Sequence, residues 1–570
     1  MQSEKGIIVL KFGSSVLRTE SDLPVAVHEI YRWWREGFQV VAVVSAFGHT
    51  TDELTQRARA ACDQPNDLLV AALLATGETA SSALLGLALN RSGIPTSVLD
   101  AEQAGLVTDG PVLNANLTSI DTVAVIEALQ NGVVVLPGFV GRSRSRRTTL
   151  LGRGGSDLTA LFIAQRLGAV CRLIKDVDGV YTSDPHSNGG SLAARYVRVS
   201  YATAARLGGT VVQPKAIDFA ETHRLRFIVS SAGSTQVTEI GPHADSLALS
   251  EAPVQRLRVA LLGCGTVGGG VYQRLAALPE VFDVVGVGTR NAERAIQSGV
   301  PAKVLMTHLE ELIAEPVDVV IELLGGQEPA AKLVARALRL GRHVVTANKS
   351  LLASEVAPLE RLATGNGVAL RYSAAVGGVL PALETVSRAR RFGALHSIAG
   401  VLNGTTNFIL DQLANGSDFA GAVSAAQAHG YAERDPQFDL NGTDAAQKLV
   451  LLARAAFDVD LPLSSVKKQG IQNVKPNRNN GHITRLVAVC QREAHGFTAS
   501  VSPVELPLEH PLANVNGVEN RLLIQSETGK SWEVFGSGAG RWPTTEAVMA
   551  DVFDLWRESC AVEEGQECVA

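Results

Sequence analysis

The sequence predicts an α/β chain built from two successive parallel-sheet units, and three observations carry that prediction. Short apolar runs alternate with helical patterns from the start: IIVL at 7–10, VVAVV at 40–44 and VVVL at 133–136, with an apolar helical stretch at 71–89. Such alternation implies a largely parallel sheet with crossover helices. RLRVALLGCGTVGGG at 256–270 then opens a fresh strand, glycine turn and helix in the middle of the chain. At 570 residues the chain also exceeds what one hydrophobic core usually serves.

Hydrophobic residues make up 46% of the chain and charged ones 19%, with a net charge of -6. That mild acidity argues against nucleic acid as a partner, because its binders are usually basic. The four arginines of RSRSRR, 142–147, read as a solvated loop. No apolar run approaches the roughly 18 residues of a membrane helix, and the start MQSEKGIIVLKFG lacks a basic-then-apolar leader. Six cysteines without CxxC spacing indicate reduced thiols and no zinc site. A cytoplasmic protein with no membrane partner is expected.

In the first half, the opening strand delivers Lys11, Gly13 and Ser14 at its carboxyl end, where ligands gather in open α/β sheets. A lysine beside exposed amides and hydroxyls suits a phosphoryl group in transfer; a solvated turn lysine explains the stretch equally well. SAFGHTTD at 45–52 and PGF at 137–139 follow the next strands. TTLLGRGGSD at 148–157 is a glycine-rich loop entering a helix capped by Ser156 or Asp157, with Arg153 able to grip a carboxylate or phosphate. KDVDGVYTSDP at 175–185 ends one further strand.

In the order KFG, VVSA, GE, LPGF, TTLLGRGGSD and KDVDGVYTSDP, these motifs resemble the catalytic domain of aspartate kinases, in the amino acid kinase family, over residues 5–248. The resemblance implies phosphorylation of aspartate by ATP with Mg2+. It implies that Lys11 stabilises charge on the transferring phosphoryl group and that Asp157 orients the catalytic lysines and loop. Ser45, Thr51, Glu78, Arg153 and Ser156 would hold aspartate, and Gly13, Ser14, Lys175, Asp176 and Tyr181 would line the nucleotide site. Three positions depart from the family pattern: KFGSS lacks one glycine, His186 stands where arginine commonly follows Asp-Pro, and Thr210 replaces a common lysine. Lys215 lies close enough to substitute. An active kinase is expected; the alternative is a catalytically silent kinase-like domain that binds a ligand or supports assembly. The ACT domains that usually follow such kinases are expected to be absent, because the interval between the strands at 227–231 and 259–262 is too short for one.

In the second half, Gly263 permits a tight turn, Gly265 lets a pyrophosphate approach the backbone, and Gly268 lets the helix pack close to its strand, with Thr266 and Val267 between them. A turn that binds nothing is the plain alternative. Arg290 ends the second strand, about twenty residues on, where Asp or Glu would select NAD(H). An arginine there would meet a 2′-phosphate and favour NADP(H), unless it is an ordinary surface residue. Strands at 317–326 and 343–349 bring further loaded ends, including Thr346 and Lys349. GYAERDPQFDLNGTDAAQK at 430–448 is a carboxylate-rich loop feeding a helix that Asn441 or Thr443 can cap. Asp444 and Lys448 share a helical face, as a surface ion pair also would, but carboxylates so crowded usually have a cationic ligand or partner.

TVGGGV, VIELLGG, VVTANK, AAVGG, LNGTTNFIL and GYAERDPQFDLNGTDAAQK, with GSGAG at 536–540, resemble homoserine dehydrogenase. The resemblance implies NAD(P)H-dependent reduction of aspartate 4-semialdehyde to homoserine. Lys349 and Lys448 would serve the carbonyl oxygen as proton donor and polarising charge, Glu433 and Asp439 would bind the substrate, Asp444 would orient Lys448, and Gly540 would join the nucleotide site. Carbonyls of Val376, Gly378 and Leu380 would hold a monovalent cation, Na+ or K+, more weakly where Ser373 replaces a family glutamate. The expected layout is a kinase-like αβα sandwich over 1–248, a linker at 249–255 and a Rossmann domain at 256–385 completed by 531–558. An α+β catalytic and dimerisation domain at 386–530 and a disordered tail at 559–570 make up the rest. Both activities on one chain, and a homodimer or higher homo-oligomer, are implied.

Overall fold

A computed structural model describes residues 5–184, 193–207, 211–248, 256–475, 481–515 and 517–567, the segment 561–567 as backbone only. His186, Thr210 and the linker 249–255 lie outside the described residues. The chain divides into two compact units, Met1–Pro253 and Val254–Ala570.

In the first unit, Ile7–Phe12, Gln39–Val44 and Val133–Pro137 are buried along nearly their whole length, as strands covered on both faces must be. They belong to a nine-stranded sheet in the order Ser246–Leu247, Tyr196–Ser200, Thr238–Gly241, Phe227–Ser231, Val170–Lys175, Ile7–Phe12, Gln39–Val44, Val133–Pro137 and Thr96–Val98. The central strands are parallel, with Lys11 opposite Val43 and Leu173, and Val44 opposite Pro137. Lys11, Ser45, Gly138 and Lys175 therefore emerge at one end of the sheet.

The helix Asp67–Arg91 is, by length and composition, apolar enough to cross a membrane, which the sequence reading did not anticipate because Gly77 and Glu78 interrupt the run. Its inner face, including Ala71, Leu74, Glu78 and Leu85, is buried in the unit. A four-stranded sheet carries RSRSRR around the hairpin of Val140–Ser143 and Thr148–Leu150. Arg142 and Arg146 there both pair with Glu102.

The second unit opens with a six-stranded parallel sheet, ordered Leu305–Met306, Phe282–Gly288, Leu257–Leu262, Val319–Glu322, His343–Thr346 and Leu370–Arg371. A second six-stranded sheet, mostly antiparallel, runs Lys467–Lys468, Gly496–Pro507, His482–Glu493, Leu395–Val401, Glu519–Ser526 and Ser531–Ser537. The helix Thr443–Phe457 is buried against it in the largest apolar cluster.

Two expected boundaries move. Ser531–Ser537 pairs with Glu519–Ser526, so it belongs to the catalytic sheet and not to the Rossmann part. The return to the Rossmann part begins with the helix Arg541–Glu567, which docks on Thr266–Ala276 through an Arg274–Glu546 ion pair at 3.2 Å and sets Phe553 against Phe282. That helix also continues through Ser559 and Cys560, where a disordered tail was expected; after Pro543 in its first turn, no proline or glycine occurs before Gly565.

Candidate active sites

The first site forms where the nine-stranded sheet ends. Lys11 Nζ lies 2.7 Å from Asp157 Oδ1, and Lys175 Nζ lies 2.8 Å from Asp157 Oδ2, so one carboxylate fixes two ammonium groups. Burial pushes the Asp157 carboxyl up, but the two lysines outweigh it and hold it at about 2. Burial brings Lys11 down to about 8 despite the pull of Asp157. A Cβ on Gly13 would meet Lys11 Nζ at 2.9 Å, so glycine there lets the ammonium fold back over the turn.

Asp157 sits in the first turn of the helix Gly155–Leu167, whose N-cap is Gly154 at φ 76°, not Ser156 or Asp157 as expected. The first-turn amides are thus not claimed by a capping side chain and face the same end of the sheet as Lys11. Gly138 packs against Ser156, where any Cβ would sit 2.5 Å from the serine Cβ. On the other side, Glu78 accepts from the Ala46 N–H at 3.4 Å, which joins the Ser45 turn to the helix Asp67–Arg91. Burial pushes the Glu78 carboxyl up to about 7, and its Oε2 has no hydrogen-bond partner.

Arg153, Ser14 and Asp176 are exposed, Thr51 is half-buried on the helix Thr50–Ala61, and Tyr181 donates to Asp178 Oδ1 at 2.6 Å. Lys215 is not free to replace a lost charge. Its ammonium donates to Asn114 Oδ1, Ala115 O and Leu151 O at 2.8–2.9 Å, clamping the loop before Gly152.

The second site begins at the glycine turn. Gly263 has φ +99°, and a Cβ there would strike Leu323 O at 2.5 Å. A Cβ on Gly268 would meet Gly263 O at 2.0 Å, whereas one on Gly265 would meet nothing within 4 Å. Two glycines are therefore demanded by packing, and the third leaves an open cradle at the N-terminus of Thr266–Ala276, whose N-cap is Gly265 without a side-chain cap. That geometry fits a pyrophosphate. Arg290 is exposed at the end of the second strand, and Arg294, which the sequence reading missed, donates to Thr266 Oγ1 at 2.8 Å.

Thr346 is fully buried and its hydroxyl donates to Glu322, which also accepts from Asn348 at 3.3 Å and from the Leu324 N–H at 2.8 Å. Glu322 and Asn348 were likewise missed as participants; together they fix the strand end from which Lys349 starts its helix, with Asn348 as N-cap.

Lys349 meets the carboxylate loop. Asp444 pairs with Lys349 through Oδ1 and with Lys448 through Oδ2 at 3.0 Å, and the Asp444 and Lys448 side chains are each 5% exposed. The pair at 444 and 448 is thus buried and not an ordinary surface duo. Lys448 Nζ also donates to Leu402 O at 2.7 Å, and Asn520 Nδ2 reaches the same carbonyl at 3.0 Å. Asn403, missed as well, donates to Asp439 Oδ1 and Asp444 Oδ2.

Burial opposes ionisation of Asp444, yet Lys448 and Lys349 hold it well below the usual carboxylate range. The lysines diverge: burial lowers Lys448, while at Lys349 the attraction of Asp444 outweighs burial and raises it. Lys349 keeps 39% of its side chain exposed. Glu433 is exposed, close enough to act on Lys349. The helix of Asp444 takes Gly442 as its N-cap, with Asn441 Oδ1 accepting from the Thr443 N–H at 3.0 Å.

Val376, Gly378 and Leu380 lie together, buried, beside the strand end at Ser537, with Gly378 at φ +57°. Ser373 donates from Oγ to Glu384 Oε1 at 2.7 Å and from its N–H to Asp551 Oδ2 at 3.0 Å. Gly540, at φ +119°, precedes the helix Arg541–Glu567. Among the described residues, no group of three or more His, Cys, Asp or Glu side chains is placed to hold a metal ion.

Comparison with known proteins matches residues 6–231 to the amino acid kinase family, 263–373 to the NAD binding domain of homoserine dehydrogenase, and 381–553 to homoserine dehydrogenase itself. A homoserine dehydrogenase of Synechocystis sp. is 34% identical over 316 residues, covering 52% of this chain and 73% of the relative. That of Mycobacterium tuberculosis is 37% identical over 316 residues, covering 52% and 71%. The crystal structure of a homoserine dehydrogenase from Thiobacillus denitrificans is 34% identical, with a TM-score of 0.50 over 54% of this chain and 74% of that one.

Proposed function

The chain belongs to the homoserine dehydrogenase family, and from that premise we propose a bifunctional enzyme. Its second unit reduces L-aspartate 4-semialdehyde to L-homoserine, and its first unit transfers a phosphoryl group from Mg-ATP to the side-chain carboxylate of L-aspartate. The observation that carries the dehydrogenase reading is Asp444 buried between two lysines at the carboxyl end of a dinucleotide-binding sheet. A bound nicotinamide supplies hydride to the aldehyde carbon. Lys349, partly exposed and firmly protonated, gives the proton to the carbonyl oxygen; Lys448, sealed and tied to Leu402 O, is the fixed charge behind it. Asp439 and Glu433 take the substrate's polar end. Arg290 and Arg294 favour NADP(H) through its 2′-phosphate.

In the first unit, Lys11 and Lys175 offset charge on the phosphoryl group while Asp157 holds both, and Glu78 takes the aspartate ammonium. A monovalent cation on the carbonyls of Val376, Gly378 and Leu380, assembly as a homodimer or larger homo-oligomer, and a cytoplasmic location belong to the same reading. The described cysteines, Cys62, Cys171, Cys264, Cys490 and Cys560, are free thiols, in keeping with a reducing compartment.

The commitment of Lys215 to the loop favours a second reading, in which the kinase-like unit turns over slowly or not at all. One experiment separates the two. Aspartyl phosphate is trapped with hydroxylamine from aspartate and Mg-ATP, and NADP+-dependent homoserine oxidation is followed in parallel, for the intact chain, Lys11→Ala and Lys349→Ala. The bifunctional reading expects Lys11→Ala to abolish trapping alone and Lys349→Ala to abolish oxidation alone. No trapping by the intact chain, with normal oxidation, leaves a dehydrogenase with a silent first unit.

A further inference from the structure

Two carboxylates of the dehydrogenase site, Asp439 and Asp444, are joined by one neutral side chain with no spare hydrogen-bonding capacity on its amide nitrogen. Asn403 is 4% exposed and stands between the strand Leu395–Val401 and the helix Gly404–Ala414. Its Oδ1 accepts from the Thr406 N–H at 2.8 Å, an N-cap bond that decides which end of the amide carries oxygen. The Nδ2 end is thereby turned to the site, and its two N–H groups go to two different acids: Asp439 Oδ1 at 2.7 Å and Asp444 Oδ2 at 2.9 Å.

We propose that Asn403 is a positioning residue for the carbonyl reduction: its amide sets the spacing of Asp439 and Asp444 and, through Asp444, the direction in which Lys349 presents its proton. The inference rests on the dehydrogenase reading above. Asp439 and Asp444 sit on different helices, Gln437–Leu440 and Thr443–Phe457, and their like charges repel. A neutral double donor holds both without adding a charge that would compete with the lysines.

Asp439 is faced by Lys349 from the helix Lys349–Gly365 and by Asp444 and Lys448 from Thr443–Phe457, while Glu433 on the loop before it acts on Lys349. Burial and Asp444 push the Asp439 carboxyl up; the Asn403 N–H and the two lysines oppose them. Without the amide, Asp439 rises further and Asp444 can turn.

Two variants separate positioning from capping. Asn403→Ser keeps an oxygen for the Thr406 N–H but reaches neither acid, and Asn403→Asp keeps the shape and the cap while replacing both donors with charge. In each, kcat for homoserine oxidation is expected to fall about a hundred-fold, with Tm and the Kd for NADP+ unchanged. The acid limb of the pH profile moves to higher pH, further in Asn403→Asp. A parental kcat and pH profile in either folded variant overturns the proposal, as does a fall in kcat that only follows a fall in Tm.

A measurement on the unaltered chain does not depend on variants folding or on turnover. With asparagine-selective 15N labelling, the Asn403 side-chain amide protons should resist exchange and shift as the acids titrate. Freely exchanging protons overturn the proposal even if homoserine is oxidised. A parent that fails to oxidise homoserine sinks the functional reading instead, and the amide measurement still decides the bridge.

Discussion

At the scale of single residues, both sites use burial to set charge, and with opposite results. Asp444 and Asp157 are buried carboxylates kept ionised by two lysines each, whereas Glu78 is buried without a cation and rises to about 7. A raised carboxyl is protonated below its pKa, and an aspartate ammonium requires it charged. The KM for aspartate in the trapping assay should therefore climb about tenfold per pH unit below about 7, and Glu78→Gln should raise KM and flatten that slope. Lys11, lowered to about 8, is charged below that value and neutral above it, so kcat should decline as pH rises through about 8. A KM that stays level through pH 7 would remove Glu78 from the substrate site.

At the scale of elements, three of the helices that enter the sites share a way of starting. Gly155–Leu167, Thr266–Ala276 and Thr443–Phe457 have Gly154, Gly265 and Gly442 as N-caps, none with a side-chain cap bond. Lys349–Gly365 and Asp67–Arg91, which carry Lys349 and Glu78, are instead capped by Asn348 and Asn66, and Thr122–Leu129 and Phe419–Ala428 by Asp121 and Asp418. A glycine cap leaves first-turn amides open to an anion; the expected Ser156 or Asp157 cap does not form, whereas Asn441, also expected as a cap, accepts from the Thr443 N–H. The dinucleotide turn makes this testable. Gly265→Ala, into open space, should leave Tm near the parent but weaken NADP(H) binding at least tenfold in a fluorescence titration, because its methyl occupies the pyrophosphate cradle. Gly268→Ala drives a methyl into Gly263 O and should lower stability by about 1–3 kcal/mol in chemical denaturation. Equal effects from the two substitutions would refute the division between cradle and packing.

At the scale of the whole molecule, each site is built from the residues of one unit. The ion pairs around Asp157 lie within Met1–Pro253, and those around Asp444 lie within Val254–Ala570. Lys448→Ala in the full chain should thus abolish homoserine oxidation while leaving aspartyl phosphate formation within about twofold of the parent, since no group of the first site is altered. A parallel collapse of both activities would show that the units are coupled.

The sequence by itself determined the two α/β units, the glycine turn, the lysines and the acids, because local propensity and spacing carry them: apolar runs make buried strands, and residues four apart share a helical face. It also placed the family resemblance on both halves. Asn403, Asn520, Glu322 and Arg294 were left unassigned because a neutral amide or a lone charge has no pattern of its own. Their roles exist only once Leu395–Val401, Glu519–Ser526 and Val319–Glu322 are laid beside their neighbours and the helix Ala292–Gln297 beside Thr266. Tertiary structure alone decided that the Asp444–Lys448 pair is buried, that Lys215 clamps a loop, that Thr346 turns inward, and that Ser531–Ser537 stays with the catalytic sheet. The physical reason is common to all of these: burial and long-range hydrogen bonding depend on which distant segments exclude water from a side chain, and no local stretch of sequence contains that information.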